Sequence, residues 1–278
     1  MHVVVITGPT ASGKSAAAVR LARELGCEII SADSRQVFRG MPIATAVIPE
    51  AEREGVPHHL LEFLEPEEYY SAARFEEDAL RLLSDMERRG HDRAIVCGGS
   101  MMYIDALLYG LDDLPTVSEA VRAETLLLYK EQGLEAVRAE LARLDPAYLA
   151  AADPANHRRL VHALEIIRES GRPVSELRTG RRKERPFTFE RRVIELPRAE
   201  LFARINARVD AMVAAGLEEE ARRLYPRRHL NALNTVGLKE FFACFDGAMD
   251  RATAIARIAK NTRVYAKKQL TWLARAPR

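Results

Sequence analysis

The sequence predicts an α/β protein in which a parallel β-sheet flanked by helices is interrupted by an all-α insertion. Two observations carry this prediction. In the first third of the chain, short apolar segments rich in β-branched residues alternate with helical segments, which is typical of a parallel sheet. From about residue 116 to residue 170 the pattern becomes purely helical.

Composition and charge are those of an ordinary globular protein. The chain has 278 residues, of which 47% are hydrophobic and 29% charged, so it can bury one large core or two smaller ones. Three scattered cysteines exclude a disulfide framework and a CxxC metal site. No apolar run reaches the length of a membrane span, and the N-terminus lacks the features of a signal peptide. We therefore expect a cytoplasmic protein with no membrane association.

Apolar runs predict the strands of the sheet. In the first third they are Val3–Thr7, Glu28–Ser31 and Ala94–Cys97, and the first is followed by a glycine-containing loop and a helix from about Ser15 to Leu25. A further strand at Arg192–Leu196 is expected to rejoin the sheet after the insertion.

Helical patterns predict further elements, which are Glu119–Gln132, Leu134–Leu144, His157–Ser170, about Arg198–Tyr225 and about Arg251–Trp272. Asp145-Pro146 and Asp153-Pro154 are expected to start helices, because proline is favoured at the first helical position. Residues 116–185 are therefore predicted to form a helical insert with a basic linker, and residues 1–115 and 186–278 the core.

The most specific motif is a phosphate-binding loop. The run Gly8-Pro9-Thr10-Ala11-Ser12-Gly13-Lys14-Ser15 fits G-x-x-x-x-G-K-[ST] and lies between a predicted strand and a predicted helix, as the motif requires. Its backbone N–H groups can hold anionic oxygens, Lys14 adds positive charge, and the Ser15 hydroxyl can bind a phosphate or Mg²⁺. The sequence therefore predicts a P-loop NTPase-like sheet and a phosphate-rich ligand.

A carboxylate follows the second predicted strand. Asp33 comes two residues after Ser31, at the sheet edge where open α/β folds bind their ligands. Its position leaves three roles open: binding Mg²⁺, acting as a general base, or capping the next turn.

Eight segments, taken in chain order, resemble a known family. They are GPTASGKS (8–15), SADSRQVFRGMPI (31–43), PHHLLEFLEPEEYYSAARF (57–75), GGSMMYIDALLYGL (98–111), DPANHRRLVHALEI (153–166), RINARVDAMVAAGLEEEARRL (204–224), VGLKE (236–240) and NTRVYAKKQLTWL (261–273). Together they resemble the tRNA dimethylallyltransferases, also called tRNA isopentenyltransferases, over nearly the entire chain.

The resemblance implies transfer of a dimethylallyl group from dimethylallyl diphosphate to N6 of adenosine 37, 3′ of the anticodon in tRNA. Asp33 matches the family's general base, Ser100 a position near the target amine that is usually threonine, and Arg208 an arginine that holds the leaving diphosphate. The phosphate loop would bind the donor's diphosphate with Mg²⁺ at Ser15. A base suits the chemistry, because an exocyclic adenine amine is a poor nucleophile that must lose a proton.

The resemblance also implies contacts with tRNA, centred on the anticodon stem-loop. An enzyme that modifies a base within folded RNA must first flip that base out of the stack. Asp33, Ser34, Arg35 and Gln36 match the family stretch that recognises the flipped adenine, and an amide such as that of Gln36 can read an adenine edge. The implied tRNA-binding set also includes Ser100, Arg122, His157, Arg158, Arg159, Leu160, Val161, Arg263, Lys267 and Lys268. No obligate protein partner is expected, and the protein is expected to be a monomer.

Two segments depart from the family pattern. After Ile43 the family typically has G-T-A-K-P, whereas this chain reads Ala44-Thr45-Ala46-Val47-Ile48-Pro49 without the lysine. Val236-Gly237-Leu238 replaces a usual I-G-Y. These differences concern secondary donor or RNA contacts rather than the main reaction.

The charge distribution supports an RNA partner independently. The net charge of +2 conceals a net −7 over residues 50–90 and a segment without acidic residues at the C-terminus. That segment carries Arg251, Arg257, Lys260, Arg263, Lys267, Lys268, Arg275 and Arg278. Tyr265 and Trp272 interleave with these charges, although Trp272 and Leu270 are expected to pack against the core.

Three other functions fit parts of the sequence. An adenylate prenyltransferase would share the core but would need neither the helical insert nor the basic C-terminus. A small-molecule kinase using ATP would share the phosphate loop, but the GGSMMY turn and the Asp33 motif argue against it. A non-catalytic tRNA-binding module would have no need for both an intact phosphate loop and Asp33.

Overall fold

Five parallel strands form the sheet of the protein in the computed structural model, which describes residues 1–275. They are β1 (His2–Thr7), β2 (Ile29–Ser31), β3 (His58–His59), β4 (Arg93–Gly98) and β5 (Thr188–Val193). Their order is β3-β2-β4-β1-β5, and every neighbouring pair is parallel. The carboxyl ends of β1, β2 and β4 therefore lie side by side at one edge, and the predicted parallel sheet is confirmed.

Helices cover both faces of this sheet or build the insertion. They are α1 (Lys14–Leu25), α2 (Pro42–Thr45), α3 (Ala72–Arg88), α4 (Met101–Tyr109), α5 (Glu119–Leu144), α6 (Pro146–Ala151), α7 (His157–Ser170), α8 (Val174–Leu177), α9 (Arg198–Ala214), α10 (Leu217–Leu224), α11 (Leu238–Phe245) and α12 (Arg251–Leu273). Short 3-10 helices span Glu50–Arg53, Tyr225–Arg227 and Asn231–Leu233.

Alternation along the strands explains why both faces are covered. Val3 and Val5 of β1 belong to the larger apolar cluster, with α3, α4 and the C-terminal helices. Val4 and Ile6 point to the other face and join a smaller cluster with α1. Because successive side chains of a strand point to opposite faces, an unbroken apolar run is what a doubly covered strand requires.

The chain divides into two compact units. The sheet unit comprises Met1–Tyr109 and the chain from Glu184 onward, and the helical unit comprises Gly110–Lys183. Arg185 anchors the returning chain to the sheet unit, since its buried guanidinium donates to Glu76 (2.7 Å) and to the Ala106 carbonyl. Arg185 is thus an internal ion-pair partner, although the sequence placed it in the basic linker of an insert spanning residues 116–185.

Two predicted elements of the sheet unit have other bounds in the structure, and the sequence patterns did not predict β3, α3, α4 or α11. The last strand is Thr188–Val193 rather than Arg192–Leu196, because it pairs with β1 from His2 to Thr7 and β1 ends there. The predicted helix Arg198–Tyr225 is split into α9 and α10, because Gly216 has a φ of 97° and caps α10.

The helical unit has its own apolar core, which includes Val137, Leu141 and Leu164. Its long helix α5 contains the predicted break, since Gly133 has non-helical angles (φ 76°, ψ −173°). Asp145 caps α6 as predicted, and its carboxylate also accepts hydrogen bonds from the backbone and hydroxyl of Ser175.

The predicted helix start at Asp153-Pro154 is wrong by several residues. These two residues lie in a turn, and α7 begins at His157 with the Asn156 side chain accepting from the Arg159 N–H. Asn156 therefore caps α7, whose bounds are those predicted from helical spacing, His157–Ser170.

Other sequence expectations concern cysteines, membrane spans and the C-terminus. Cys27 and Cys97 are buried as expected, whereas Cys244 is half-buried. Within residues 1–275, no helix combines the length and apolar character needed to cross a bilayer. Arg278, counted in the basic C-terminal segment, lies outside the described residues.

Candidate active site

Three loops converge at the carboxyl edge of the sheet. They follow β1 (the phosphate loop), β2 (Ala32-Asp33) and β4 (Gly98-Gly99-Ser100). The second and third pack closely: the Ser100 N–H donates to the Ala32 carbonyl (3.1 Å), and a Cβ on Gly98 would overlap that carbonyl. Glycine at position 98 is therefore what lets Asp33 and Ser100 approach each other.

The phosphate loop has the conformation expected of an anion-binding turn. Gly13 adopts a φ of 90°, and Lys14 opens α1 with its ammonium group donating to the Pro9 carbonyl (3.2 Å). Burial lowers the pKa of Lys14, an effect that the nearby Asp33 charge opposes. The Ser12 hydroxyl is buried without a hydrogen-bond partner in the described part of the chain. A buried unpaired hydroxyl and a partly desolvated ammonium group suit a site that receives an anion.

Helix α9 brings two guanidinium groups to this loop. Arg208 donates to the Thr10 hydroxyl (3.3 Å), and burial lowers its pKa, again opposed by the charge of Asp33. Arg204, one turn earlier, lies over Gly13 and pairs with Glu200 (2.9 Å). A cavity of about 270 Å³ is lined by Ala11, Gly13, Lys14, Ser15, Ala16, Arg204 and Arg208.

Sequence reasoning missed Arg204. The signal was present, since residues four apart on a helix share a face and Arg204 precedes Arg208 by that spacing. With Lys14, these arginines place three cationic side chains around the loop, which favours a ligand with more than one negative charge.

Asp33 performs the capping role that the sequence left open and keeps an oxygen for chemistry. Its Oδ1 accepts from the N–H groups of Arg35 (2.9 Å) and Gln36 (3.4 Å). No group among residues 1–275 donates a hydrogen bond to Oδ2. One oxygen therefore fixes the carboxylate while the other can accept a proton from a ligand.

Ser100 lies beside the Asp33 loop with its hydroxyl held in place. It is 6% exposed; its Oγ accepts from the Ser34 N–H (2.8 Å) and donates to the Ser34 hydroxyl (3.1 Å). The Tyr265 hydroxyl of α12 donates to the Gly99 carbonyl (3.4 Å), and burial of that hydroxyl, helped by the Asp33 charge, raises its pKa to about 12. Tyr265 is therefore a neutral hydrogen-bond donor at physiological pH.

Arg35 and Gln36 are committed to contacts within the protein. Both amide hydrogens of Gln36 go to backbone carbonyls, of Thr45 (3.0 Å) and Ala46 (3.1 Å). Arg35 donates to the carbonyls of Asn231 and Ala232. In this arrangement Gln36 fixes the end of α2, so the predicted reading of an adenine edge would require it to exchange these partners.

Two further cavities meet near Asp33, and both lie within the sheet unit. The mixed cavity, about 300 Å³, is lined by polar residues (among them Thr10, Asp33, Ser34 and Arg208) and by apolar residues (Ala44, Val209, Met212, Val236 and Ile258). The open cavity, about 490 Å³, is lined by Ser34, Ser100 and the exposed side chains of Tyr69 and Met102, among others. Ser34, Arg35 and Tyr265 line both cavities, so the two adjoin at these residues, with Asp33 lining the mixed cavity and Ser100 the open one.

One buried side chain, also missed from sequence, links these loops. Gln269 of α12 is 2% exposed; its Oε1 accepts from the Thr10 N–H (2.8 Å) and its Nε2 donates to the Gly99 carbonyl (2.9 Å). It therefore fixes the spacing between the phosphate loop and the Ser100 turn.

Replacing Gln269 by leucine should disturb that spacing, since leucine fills the space but makes neither hydrogen bond. We expect kcat for the reaction implied by the resemblance to fall by about 10- to 100-fold, because a displacement of about 1 Å between reacting groups slows the chemical step by this much. The KM for the RNA substrate should change little. Steady-state kinetics measure the split. The conservative change Gln269→Asn should be impaired as well, since its amide is one methylene too short, whereas Gln132→Leu, on the helical unit, is the matched control.

The residues predicted to contact RNA differ in how far they are exposed to solvent. His157, Arg158 and Arg159 are exposed at the start of α7, and Lys267 and Lys268 are exposed on α12. Arg122 is half-buried on α5, and Arg263 donates to the Asn206 side chain (2.5 Å).

Leu160 and Val161 require a correction. Both are buried in the core of the helical unit, 0% and 6% exposed, so their side chains are part of its packing and not of an RNA-facing surface. Trp272 does pack against the core as expected, with its indole N–H donating to Asp105 (3.0 Å).

Comparisons with known proteins agree with this geometry. The family model described as IPP transferase matches residues 36–276. A tRNA dimethylallyltransferase 2 of Porphyromonas gingivalis is 47% identical over 271 residues, covering 98% of this chain and 90% of that protein. A tRNA dimethylallyltransferase of Cytophaga hutchinsonii is 43% identical over 274 residues, covering 99% and 90%.

Solved structures are similar over the same length. The full-length tRNA isopentenylpyrophosphate transferase of Bacillus halodurans has a TM-score of 0.70 and 37% identity, covering 99% of this chain and 87% of that one. A eukaryotic dimethylallyltransferase solved while acting on tRNA has a TM-score of 0.84 and 29% identity, covering 98% and 69%. Since the family model matches residues 36–276 and relatives that are 43% and 47% identical cover nearly the whole chain, the family predicted from the motifs is confirmed, and the chain belongs to the IPP transferase family.

Proposed function

We propose that the protein transfers a dimethylallyl group from dimethylallyl diphosphate to N6 of adenosine 37 in tRNA. The observation that carries the proposal is Asp33, which keeps one carboxylate oxygen free beside Thr10, Lys14 and Arg208, in a cavity that adjoins the open cavity of Ser100 through Ser34, Arg35 and Tyr265. A donor diphosphate on one side and an adenine amine on the other would both reach this point.

The reaction forms a C–N bond and breaks a C–O bond. The N6 lone pair attacks C1 of the dimethylallyl group, the C1–O bond breaks, and diphosphate leaves with the bonding electrons. Asp33 Oδ2 takes the proton that N6 loses. Lys14, Arg204 and Arg208, with the N–H groups of the phosphate loop, stabilise the charge that develops on the leaving oxygen.

Ser100 and Tyr265 position the acceptor. The Ser100 hydroxyl is already fixed by Ser34, so it can orient the amine without losing rotational freedom during the reaction. Tyr265 lines both cavities and stays neutral, because its pKa is raised to about 12 by burial. Adenine enters from the open cavity once it is flipped out of the RNA stack.

The oxygen atoms at the loop fit Mg²⁺. Ser15 presents an exposed hydroxyl at the start of α1, and Ser12 has the buried unpartnered hydroxyl described above. Residues 1–275 contain no group of three or more His, Cys, Asp or Glu side chains arranged to hold a metal. The hydroxyl groups of Ser12 and Ser15 suit Mg²⁺, because this ion binds through few protein ligands together with substrate phosphates. When bound, it would neutralise diphosphate charge, with Ser15 holding it.

The acceptor is proposed to be the anticodon stem-loop of tRNA, gripped by exposed basic residues. His157, Arg158 and Arg159 belong to the helical unit, and Lys267 and Lys268 to α12. We propose that the protein acts as a monomer in the cytoplasm, where a tRNA substrate and unpaired cysteines are both expected.

Removing these charges should weaken RNA binding in a salt-dependent way. We expect Arg158→Ala, Arg159→Ala and Lys267→Ala each to raise the Kd for the stem-loop and to reduce the slope of log K against log salt by about 0.7–0.9. Fluorescence anisotropy between about 50 and 200 mM salt measures the slope. Arg81→Ala is the matched control, since Arg81 is exposed in the acidic part of the chain. Unchanged slopes would remove these residues from the RNA surface.

Competing acceptors and donors separate the proposal from its alternatives. The protein is incubated with dimethylallyl diphosphate and either the stem-loop or AMP, and separately with γ-labelled ATP and the stem-loop. We expect a prenylated stem-loop and no prenylated AMP or transferred phosphate. Prenylation of AMP alone would favour an adenylate prenyltransferase, and phosphate transfer would favour a kinase.

A further inference from the structure

Two large side chains are exposed in the open cavity, and no step of the proposed reaction uses them. Tyr69 is 52% exposed, and Met102, of a residue type that is most often buried, is 60% exposed. Both line the open cavity together with Ser34 and Ser100, and neither lines the mixed cavity of Asp33. They therefore offer apolar surface to a ligand that also reaches Ser100.

The ring of Tyr69 is held in place by its neighbours along the chain. Arg74 of α3 donates to the Tyr69 carbonyl (2.6 Å), and its guanidinium group lies over the Tyr69 ring, 5.5 Å from the ring centre. Tyr70 anchors the same segment, since its ring packs edge-on against Tyr103 and its hydroxyl donates to Asp78 (2.8 Å). A cation thus covers one face of the Tyr69 ring, and a planar ligand can cover the other.

Charged side chains along this wall of the cavity are arranged to tolerate a polyanion. The Glu67 carboxylate accepts from Arg227 (2.9 Å), and this contact lowers the pKa of Glu67. The Glu68 carboxylate accepts from the Glu65 N–H (2.6 Å). Arg74 and Arg227 therefore bring two guanidinium groups to the segment that carries Tyr69, and a combination of basic groups with an exposed aromatic ring suits single-stranded RNA.

The open cavity is larger than one base requires. A cavity of about 150 Å³ accommodates the six ring atoms of benzene, so the ten heavy atoms of adenine need about 250 Å³. The open cavity has a volume of about 490 Å³. It therefore has room for a second base beside the target adenine.

Base flipping supplies such a second base. When the target adenosine leaves its stack, each base that flanks it in the loop loses one stacking partner. An aromatic side chain that replaces the lost partner offsets part of this cost, and it does so for any base because every base has a π face. A flexible methionine beside the aromatic ring can adapt to bases of different shape.

We infer that Tyr69, beside Met102, stacks on a second unpaired base of the acceptor, one of the two that flank the target adenosine. The inference rests on the proposed function, because the acceptor RNA is the ligand that brings such a base to Ser100. Stacking on Tyr69 stabilises the RNA with its target base flipped out, so it contributes to acceptor binding and takes no part in the chemical step.

A double-mutant cycle between protein and RNA tests this contact. Fluorescence anisotropy gives the Kd of the stem-loop, intact or with an abasic site at position 36 or 38, for wild type and for Tyr69→Ala. Tyr69→Ala should raise the Kd of the intact stem-loop by about 5- to 100-fold, the usual effect of removing one base–aromatic stack. One of the two abasic sites should weaken binding by wild type to a similar extent but have little effect on Tyr69→Ala, which has already lost the contact.

Conservative variants and kcat separate stacking from a structural role. Tyr69→Phe should bind like wild type because it keeps the ring, whereas Tyr69→Leu should resemble Tyr69→Ala although it fills more space. At saturating stem-loop, kcat for prenylation should be unchanged in all three variants, as expected when a contact is equally strong before and during the chemical step. Phe189→Ala is the matched control, since Phe189 of β5 is 38% exposed and lines neither the mixed nor the open cavity.

Two results would overturn the inference: an unchanged Kd for Tyr69→Ala, or abasic sites at both positions that weaken wild type and Tyr69→Ala by equal factors. Failure of the proposed function gives a different result. Wild type would then bind the stem-loop without prenylating it, and the cycle in Kd would still decide whether Tyr69 stacks on a flanking base.

Discussion

Asparagine at position 33 should lower kcat for prenyl transfer by about 10²- to 10⁴-fold, the usual contribution of a general base. Asparagine keeps Oδ1 as the acceptor for the Arg35 and Gln36 N–H groups, so the turn remains capped. It cannot take a proton at the other position. The Kd for the stem-loop should change little, and single-turnover kinetics with a parallel binding titration measure both quantities.

Comparison with Asp33→Ala separates the base from the cap. Alanine removes both functions, so it should also lower the free energy of unfolding by about 1 kcal/mol, the usual cost of a lost cap. Asp92→Asn is the matched control, because Asp92 is exposed just before β4, at the opposite edge of the sheet. If Asp33→Asn retained near wild-type turnover while Asp33→Ala did not, Asp33 would be a structural cap only.

Alanine at position 14 should reduce kcat/KM for dimethylallyl diphosphate by about 10²- to 10³-fold, as expected when one preorganised donor to a developing negative charge is removed. The Lys14 ammonium is buried beside Asp33 and Arg208, so water cannot fully replace its charge. The inhibition constant of inorganic diphosphate should rise in parallel, which steady-state inhibition measures.

Lys239→Ala is the control for this substitution, since Lys239 is an exposed lysine in the first turn of α11. Stem-loop affinity should be unaffected in both variants. If Lys14→Ala left inhibition by inorganic diphosphate unchanged, the phosphate loop would not hold the donor.

Local sequence patterns predicted the centre of the site well. The phosphate loop has a fixed spacing between an apolar strand and a helix, and the strands before Asp33 and Ser100 are apolar runs of the same kind. Parallel strands place their carboxyl ends at one edge, so the meeting of these loops follows from fold class alone. The bounds predicted for strand β5 were several residues too late in the sequence. This strand lies at the edge of the sheet and contains Glu190, Arg191 and Arg192, so it has no apolar run that would mark its position.

The supporting contacts were not predictable from local patterns. Gln269 reaches Thr10 across 259 positions of sequence, and periodicity shows only that it lies on the buried face of α12. The commitment of Gln36 to α2 likewise depends on how two loops pack. Leu160 is different: its spacing with Leu164 and Ile167 marks a buried helix face, so periodicity should have overruled the match to a tRNA-binding motif.

Mass analysis of an anticodon stem-loop tests the central claim most directly. The RNA, with adenosine at position 37, is incubated with the protein, Mg²⁺ and dimethylallyl diphosphate, then digested to nucleosides. We expect a gain of one dimethylallyl unit on that adenosine with wild type, and none when guanosine replaces it or when Asp33→Asn is used. An unmodified wild-type reaction, or a dimethylallyl unit on another nucleoside, would contradict the account.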